Sequence, residues 1–324
     1  MLKLINRFKL LRDFYLRKAE ASGLPLELVV EVTNKCNLSC IMCVRQKMTR
    51  PIGFMKMTIY KKIIDEVSSF LELIYLHGLG EPLFHPKIFE MIRYAKRKGL
   101  AVGLSTNATL LTKEKARKII ASGLDYLIIA LDAATPKTFE RVRGGENFER
   151  VITNVRGYLK LKKKAKTSPF TVIQFVKLKE NEREVKEFLE IWKNSGADIV
   201  RIRPVIDLLR EGKEKPGDRP CFYIWRQLNM ISWDGKIVTP CCMDSNGDYS
   251  LGSIFGESIK QIWNNQRMIK LREAHLKGKW RKLPLCQNCS YPQPRFLGKI
   301  GSMLLSDMIV KKILPFFERF HFYE

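Results

Sequence analysis

Between residues 26 and 205, short apolar runs rich in β-branched residues alternate with amphipathic segments of helical period. A strand buried in a parallel sheet reads as a continuous apolar run, whereas a helix on that sheet repeats its apolar residues every three or four positions. The pattern therefore predicts strands near 26–33, 72–77, 101–106, 124–132, 170–177 and 198–205. It predicts helices near 57–69, 86–98, 112–122, 135–143, 147–165 and 181–194.

This alternation predicts an α/β fold, because strands that alternate with helices form a parallel sheet with right-handed crossovers. Six strand–helix units are too few to close an eight-stranded barrel. We therefore expect an open partial (β/α)6 TIM-like barrel over residues 26–210. In such barrels the chemistry gathers at the C-terminal ends of the strands.

Charge and cysteine content narrow the class of protein. The 324 residues carry 58 Lys and Arg against 33 Asp and Glu, a net charge of +25, which favours anionic partners such as phosphorylated substrates, nucleic acid or an acidic membrane surface. Eight cysteines are too sparse for a disulfide scaffold, and their clustering indicates metal ligation in a reducing, cytoplasmic compartment. Neither an uninterrupted apolar run of membrane-spanning length nor a secretory signal pattern is present in the sequence.

Three cysteines, Cys36, Cys40 and Cys43, directly follow the first predicted strand. Three thiolates on one short loop can ligate three irons of a [4Fe–4S] cluster and leave the fourth iron open for chemistry. The alternatives are a zinc knuckle and a cluster of reactive thiols. A zinc site needs a fourth nearby Cys or His, and the nearest downstream histidine is His77. The spacing therefore favours the iron–sulfur cluster.

The spacing C-x3-C-x2-C resembles the signature of the radical S-adenosylmethionine (SAM) superfamily. The resemblance implies that the open iron binds the amino and carboxylate groups of SAM. It also implies reductive cleavage of SAM to a 5′-deoxyadenosyl radical, which abstracts a hydrogen atom from the substrate. An electron donor such as ferredoxin or flavodoxin is then the expected partner.

Other strand ends carry sequences similar to the SAM-binding elements of that superfamily. Gly78-Leu79-Gly80-Glu81-Pro82 resembles its "GGE" element, in which glycines permit close backbone approach and Glu81 offers an acceptor for an ammonium group. After strand 3, Ser105-Thr106-Asn107-Ala108 is similar to the family's "TNG" element, and Ala130-Leu131-Asp132 at the end of strand 4 is similar to its "S-x-D" element. Arg143 lies in a run that resembles the family's "iRG" run, and its guanidinium suits a carboxylate. Gln174 and Arg203 are further candidates, but strand alternation alone does not decide which face of the sheet each side chain occupies. The resemblance assigns SAM binding to Met42, Gly78, Gly80, Glu81, Pro82, Ser105, Asn107, Asp132 and Arg143.

A second group of cysteines lies in the C-terminal third. Asp234-Gly235 predicts a tight hairpin turn just before Cys241, and Cys286-x2-Cys289 is a metal knuckle. Four thiolates suit zinc and a fully ligated [4Fe–4S] cluster equally well. The sequence resembles a SPASM-type extension in its shortened twitch form, over residues 215–295. The resemblance implies one auxiliary [4Fe–4S] cluster with the ligands Cys221, Cys241, Cys286 and Cys289, although Cys242 is an alternative to Cys241.

Both ends of the chain are apolar and basic. Within residues 1–25, Leu4, Phe8, Leu11 and Tyr15 share one face of a predicted helix, and residues 296–324 form a second such segment. Segments of this kind either pack on the barrel or lie in an anionic membrane interface. The sequence leaves both interpretations open, so the expected location is cytoplasmic, with or without peripheral attachment to the inner face of a membrane.

The leading hypothesis is a radical SAM enzyme that oxidises a substrate, or forms a bond in it, with the help of an auxiliary cluster. Its substrate is expected to be a small molecule, lipid-like or phosphate-bearing. Alternatives within enzymes are a peptide-modifying maturase and a twitch-type dehydrogenase of a sugar alcohol or aminocyclitol. With 35 residues before Cys36, a separate peptide-recognition domain is not expected there. A basic zinc protein that binds nucleic acid is disfavoured because no nucleic-acid module is recognisable.

Overall fold

The computed structural model describes residues 2–145, 147–204, 220–241, 243–287 and 289. Its centre is a sheet of eight strands among these residues. The strands are β1 (Glu27–Val30), β2 (Leu73–Tyr75), β3 (Ala101–Thr106), β4 (Tyr126–Ala130), β5 (Phe170–Lys177), β6 (Ile199–Pro204), β7 (Gln227–Ile231) and β8 (Val238–Thr239).

Nine α-helices accompany the sheet in the described part of the chain. They are α1 (Leu2–Tyr15), α2 (Met57–Val67), α3 (Ile88–Arg97), α4 (Lys113–Ala121), α5 (Pro136–Arg143), α6 (Phe148–Lys164), α7 (Val185–Trp192), α8 (Ile259–Trp263) and α9 (Gln266–Leu276). All six predicted strands and all six predicted helices are present, with limits that agree for β3 and β5 and differ by a few residues for the others. The α4, α5 and α6 helices begin where Thr112, Thr135 and Asn147 cap their first turns.

The sheet has the order β6-β5-β4-β3-β2-β1-β7-β8. The first six strands are parallel neighbours in chain order, which confirms the open partial barrel. The β7 strand was not predicted at the β1 edge, yet it pairs in parallel with β1, and Arg226 binds Glu27 at 2.5 and 2.6 Å beside this junction. The predicted turn before Cys241 joins β7 to antiparallel β8, and Gly235 adopts a φ of +73° there.

The two faces of the sheet differ in chemistry. Ile173 and Phe175 of β5 belong to the apolar core, so the intervening Gln174 points to the opposite, open face. Gln174 accepts a hydrogen bond of 2.7 Å from Nη2 of Arg201 on β6. Arg203 lies two residues further along the same strand and therefore faces the same side as Gln174. This settles the orientation that strand alternation left open and gives the open face a basic character.

A buried ion pair connects the end of β1 to the C-terminal part of the chain. The fully buried Glu31 carboxylate accepts two hydrogen bonds of 3.0 Å from Arg50, and Arg50 Nε donates to the carbonyl of Ser245 at 2.7 Å. Backbone N–H groups of Leu79 and Trp233 also approach Glu31 at 3.4 Å. One carboxylate thus connects the β1 end, the loop after β2 and the β7–β8 hairpin.

The α1 helix packs through one face and exposes another. Leu10 and Phe14 are buried in the core and Arg7 pairs with Glu72, whereas Leu4 and Phe8 are about half exposed, at 50% and 52%. The helix therefore packs on the barrel and also presents apolar side chains to solvent, and its contact with a membrane stays a prediction. The C-terminal segment 296–324 lies outside the described residues. No helix in the described ranges is both long enough and apolar enough to span a membrane.

Replacing Arg50 with Met should lower the free energy of unfolding by about 3–5 kcal/mol, because the Glu31 carboxylate would stay buried without its partner. Urea unfolding followed by circular dichroism measures this loss. The matched control is Glu114→Gln, which removes an exposed pair with Lys118 on α4 and should leave the urea midpoint nearly unchanged. A loss for Arg50→Met no larger than that of the control would contradict the prediction.

Candidate functional site

Three thiols lie together on the loop that follows β1. Cys36, Cys40 and Cys43 are each half-buried. Burial raises the pKa of the Cys36 and Cys43 thiols, and the charges of the neighbouring thiolates raise it further. Ionised thiols on one short loop repel one another, and positive metal centres would offset this repulsion.

The end of α5 holds this cysteine loop in place. The N–H groups of Ser39 and Ile41 donate to the carbonyls of Arg143 and Val142, at 3.1 and 3.0 Å. Within the loop, the Cys43 N–H donates to the Cys40 carbonyl at 3.0 Å. The loop is thus fixed by backbone hydrogen bonds that leave the cysteine sulfurs available for ligation.

Arg143 and Asp132 form a buried ion pair beside the cysteine loop. Arg143 is 7% exposed, its Nη2 lies 2.7 Å from Asp132 Oδ2, and its Nη1 lies 3.6 Å from Cys40 Sγ. Asp132 Oδ1 also accepts from the Val176 N–H at 2.7 Å. Burial raises the pKa of Asp132, while the guanidinium acts in the opposite direction. Because it is buried, Arg143 is not a solvated residue on the surface of α5.

One donor of Arg143 remains for a ligand. Its Nε is buried and has no hydrogen-bond partner among the residues that the structure describes. A buried donor without a partner costs free energy, so such an atom indicates a group that binds there. An anionic sulfur cluster or a carboxylate beside Cys40 has the chemistry to accept this bond, and the donor set therefore fits a thiolate-ligated cluster with SAM.

Glu81 connects the loops that follow β2 and β3. Its carboxylate is 2% exposed and accepts from the Leu83 N–H at 3.0 Å, the Thr106 hydroxyl at 2.8 Å and the Asn107 N–H at 2.7 Å. Burial raises the pKa of Glu81, and these three donors oppose the shift. Within the chain, the Glu81 carboxylate therefore joins the loops that follow β2 and β3. Its role as an acceptor for an ammonium group stays a prediction.

Asn107 continues this connection to the cysteine loop. Its Nδ2 lies 3.8 Å from Cys36 Sγ and 3.2 Å from Asn37 Oδ1, and its Oδ1 accepts from the Thr109 hydroxyl at 2.7 Å. The sequence assigned Asn107 to SAM, but it did not indicate that Asn37 and Thr109 would hold its amide. The contact with Thr109 is local, since the two residues are two positions apart, whereas Asn37 joins them only after the loops that follow β1 and β3 have come together.

Two glycines allow the β2 loop to approach the start of the cysteine loop. A Cβ at Gly80 would lie 2.3 Å from the carbonyl oxygen of Thr33 and 2.7 Å from that of Lys35, and one at Gly78 would lie 2.7 Å from Glu31 Cβ. Backbone atoms leave no room for a side chain at Gly80, and the Glu31 side chain leaves none at Gly78. Of the remaining predicted residues, Met42 and Ser105 are half-buried, and Pro82 begins a 3₁₀ turn that Glu81 caps.

The C-terminal cysteines approach a histidine that belongs to no sequence motif. Burial, together with the charges of the neighbouring Cys221 and Cys289, raises the pKa of Cys286 to about 12. The His275 ring on α9 contacts both Cys221 and Cys286. The sequence signal that could have indicated His275 is its position 11 residues before the Cys286 knuckle.

The set of C-terminal ligands remains a prediction. The Cys241 carbonyl accepts from the Thr239 hydroxyl at 3.3 Å at the end of the hairpin, and Cys242 lies outside the described residues. Among the described residues, no three His, Cys, Asp or Glu side chains are gathered closely enough to hold one metal ion. The choice between Cys241 and Cys242 is therefore not decided by the geometry.

Two protein-family models match the chain. That of the radical SAM superfamily covers residues 30–191, half of the chain, and includes the three-cysteine loop. That of an iron–sulfur cluster-binding domain, SPASM, covers residues 221–290 and includes Cys221, Cys241, Cys286 and Cys289.

Individual proteins are similar over different lengths. A tungsten-containing aldehyde ferredoxin oxidoreductase cofactor-modifying protein of Pyrococcus furiosus is 26% identical, in an alignment that covers 81% of this chain and 86% of that protein. Mycofactocin maturase MftC of Mycobacterium tuberculosis is 30% identical over 56% of this chain and 45% of the maturase, so the match spans about half its length. The crystal structure of BtrN with AdoMet and 2-DOIA has the same fold, with a TM-score of 0.58, 20% identity and coverage of 83% of this chain and 94% of BtrN.

Replacing Gly80 with Ala should displace the backbone before Cys36, lower the iron content of the protein and cost about 1–3 kcal/mol of stability. The reason is the 2.3 Å distance between the new Cβ and the Thr33 oxygen, both of which belong to loops held by hydrogen bonds. Iron per chain and the unfolding free energy measure the two effects.

Gly157→Ala is the matched control for this prediction. Gly157 lies inside α6, and no described atom outside its own helix backbone lies within 4 Å of the added Cβ. The control should keep its iron and gain about 0.5–1 kcal/mol, since alanine is the better helix former. Equal iron content in the two variants would show that Gly80 does not position the cysteine loop.

Proposed function

This chain belongs to the radical SAM superfamily, and we propose that Cys36, Cys40 and Cys43 hold the [4Fe–4S] cluster on which its SAM is cleaved. The chain is an enzyme whose cofactors are SAM, a SAM-binding [4Fe–4S] cluster and an auxiliary iron–sulfur cluster. The observation that carries the proposal is the convergence of two buried nitrogen donors on the cysteine sulfurs, from Arg143 at 3.6 Å and from Asn107 at 3.8 Å.

When bound, the cluster and SAM supply reductive cleavage of SAM and, through it, abstraction of a substrate hydrogen atom. The chain's own residues position these groups. The buried Arg143 Nε is the donor for an anionic group, and Asp132 holds the guanidinium in orientation. Glu81 acts as a positioning residue, because its three hydrogen bonds fix the loops that approach the cysteines from β2 and β3.

We assign the auxiliary cluster to Cys221, Cys241, Cys286 and Cys289. Four protein thiolates leave no open iron, so this cluster suits electron transfer better than substrate binding. A cluster that accepts one electron after hydrogen abstraction completes a two-electron oxidation or a bond formation. A ferredoxin or flavodoxin is the class of donor that fits the reduction of SAM.

The basic open face of the sheet supports a substrate that is a small molecule and carries negative charge or phosphate. Gln174 and Arg201 are joined on this face, and Arg203 follows Arg201 on the same side. The Pyrococcus relative matches along most of both chains and is named for modifying a cofactor, which favours a small molecule over a peptide. Modification of a peptide, as the maturase's name indicates for that relative, and oxidation of a sugar alcohol or aminocyclitol are the alternatives.

The exposed face of α1 supports attachment to an anionic lipid surface. Leu4, Ile5 and Phe8 expose about half of their side-chain area there, and Lys3 and Lys9 are exposed on the same helix. Apolar side chains flanked by lysines suit the boundary between lipid headgroups and acyl chains. Such attachment would bring the enzyme close to a lipid-like substrate.

Replacing Cys36, Cys40 and Cys43 together with Ala should remove half of the iron and abolish formation of 5′-deoxyadenosine, since the proposed SAM cluster loses all its protein ligands. Iron analysis after anaerobic reconstitution and chromatographic detection of 5′-deoxyadenosine measure both effects.

The matched control replaces Cys286 and Cys289, which should also halve the iron but keep SAM cleavage. Continued SAM cleavage in the triple variant would refute the assignment of the first cluster. One zinc ion in place of the second half of the iron would refute the auxiliary cluster and leave the first assignment standing.

Replacing Ile5 and Phe8 together with Gln should reduce flotation of the protein with vesicles that contain anionic lipids, because the salt-insensitive apolar part of binding is lost. Added salt should weaken the remaining, electrostatic part. The control pair, Ile191→Gln and Phe255→Gln, removes exposed apolar side chains from other elements and should float like the unchanged protein. Identical flotation of both double variants would exclude α1 as the attachment site.

A further inference from the structure

His275 lies between two of the C-terminal cysteines. Its Nδ1 is 3.2 Å from the backbone nitrogen of Cys221, and its Nε2 is 3.6 Å from Cys286 Sγ. The side chain is buried and stacks on Trp280, with an interplanar angle of 1° and a centroid distance of 5.7 Å. The ring is thus held in orientation by contacts on its face and at both nitrogens.

The hydrogen-bond pattern fixes the tautomer of this imidazole. A backbone nitrogen can only donate, so the Cys221 N–H donates and Nδ1 accepts with its lone pair. The proton of the neutral ring must then sit on Nε2. This nitrogen consequently has no lone pair for a metal and directs its N–H towards Cys286 Sγ.

We propose that His275 is a positioning residue that donates an Nε2–H···S hydrogen bond to the Cys286 thiolate. This bond raises the reduction potential of the auxiliary cluster, and the inference rests on that cluster as assigned in the proposed function. Hydrogen bonds to the sulfurs are among the factors that set the potential of an iron–sulfur cluster. The reduced cluster carries more negative charge on its sulfurs, so an N–H donor stabilises it more than the oxidised form. A higher potential makes the auxiliary cluster a better electron acceptor.

Two variants separate the hydrogen bond from the packing of the side chain. His275→Leu removes the donor and keeps much of the apolar volume, whereas His275→Gln keeps an N–H donor on its terminal amide. Redox titration of the reconstituted protein, followed by electron paramagnetic resonance, measures both clusters in one sample. The potential of the auxiliary cluster should shift to more negative values in His275→Leu and stay nearer the unchanged value in His275→Gln. The potential of the SAM cluster should not move in either variant.

Labelling the histidines of the unchanged protein with ¹⁵N provides a readout that needs no variant. A hydrogen-bonded imidazole should give only a weak nitrogen coupling to the reduced auxiliary cluster. A strong coupling would identify His275 as an iron ligand and overturn the proposal, even if His275→Leu failed to fold. An unchanged potential in His275→Leu with full iron content would also overturn it and leave the auxiliary cluster intact. Half of the expected iron in the unchanged protein would instead refute the auxiliary cluster itself.

Discussion

The buried pair of Glu31 and Arg50 is the constraint on which the loop with the first group of cysteines depends. The two residues lie at either end of the segment that contains Cys36, Cys40 and Cys43, so their contact closes this segment into a loop at the end of β1. Burying both charges costs free energy that only good geometry offsets, and the bidentate contact at 3.0 Å supplies that geometry. Because Arg50 also binds the carbonyl of Ser245, the loop and the C-terminal part of the chain are held by one guanidinium.

The elements that the sequence predicted well are those whose signal is local. The predicted limits of β3 and β5 agree with Ala101–Thr106 and Phe170–Lys177, because each is an apolar run bounded by residues that end a strand. The position of β7 beside β1 was missed, although Gln227 pairs with Glu27. Parallel pairing between strands so far apart in sequence depends on the packing of everything between them. A strand of five residues contains no local signal that identifies its neighbour in the sheet.

The same distinction applies to the candidate site. The spacing of three cysteines within eight residues predicts a set of cluster ligands, and Gly80, which a family motif indicates, lies where backbones approach too closely for a side chain. The pairing of Asp132 with Arg143 was not predicted, because the sequence assigned each of them separately to SAM. Likewise His275 carries no motif, and only its contacts with Cys221 and Cys286 after folding distinguish it from an ordinary buried histidine.

The two groups of cysteines meet their nitrogen donors under similar electrostatic conditions. Arg143 approaches Cys40 as a cation, but Asp132 neutralises its charge at 2.7 Å. His275 approaches Cys286 as a neutral ring, since Nδ1 accepts from a backbone N–H and burial lowers its pKa to about 4. Each donor therefore stabilises negative sulfur through a directed N–H without adding net positive charge to the interior. The large positive charge of the chain is then left to its exposed surfaces, where it can attract anionic partners without disturbing either cluster.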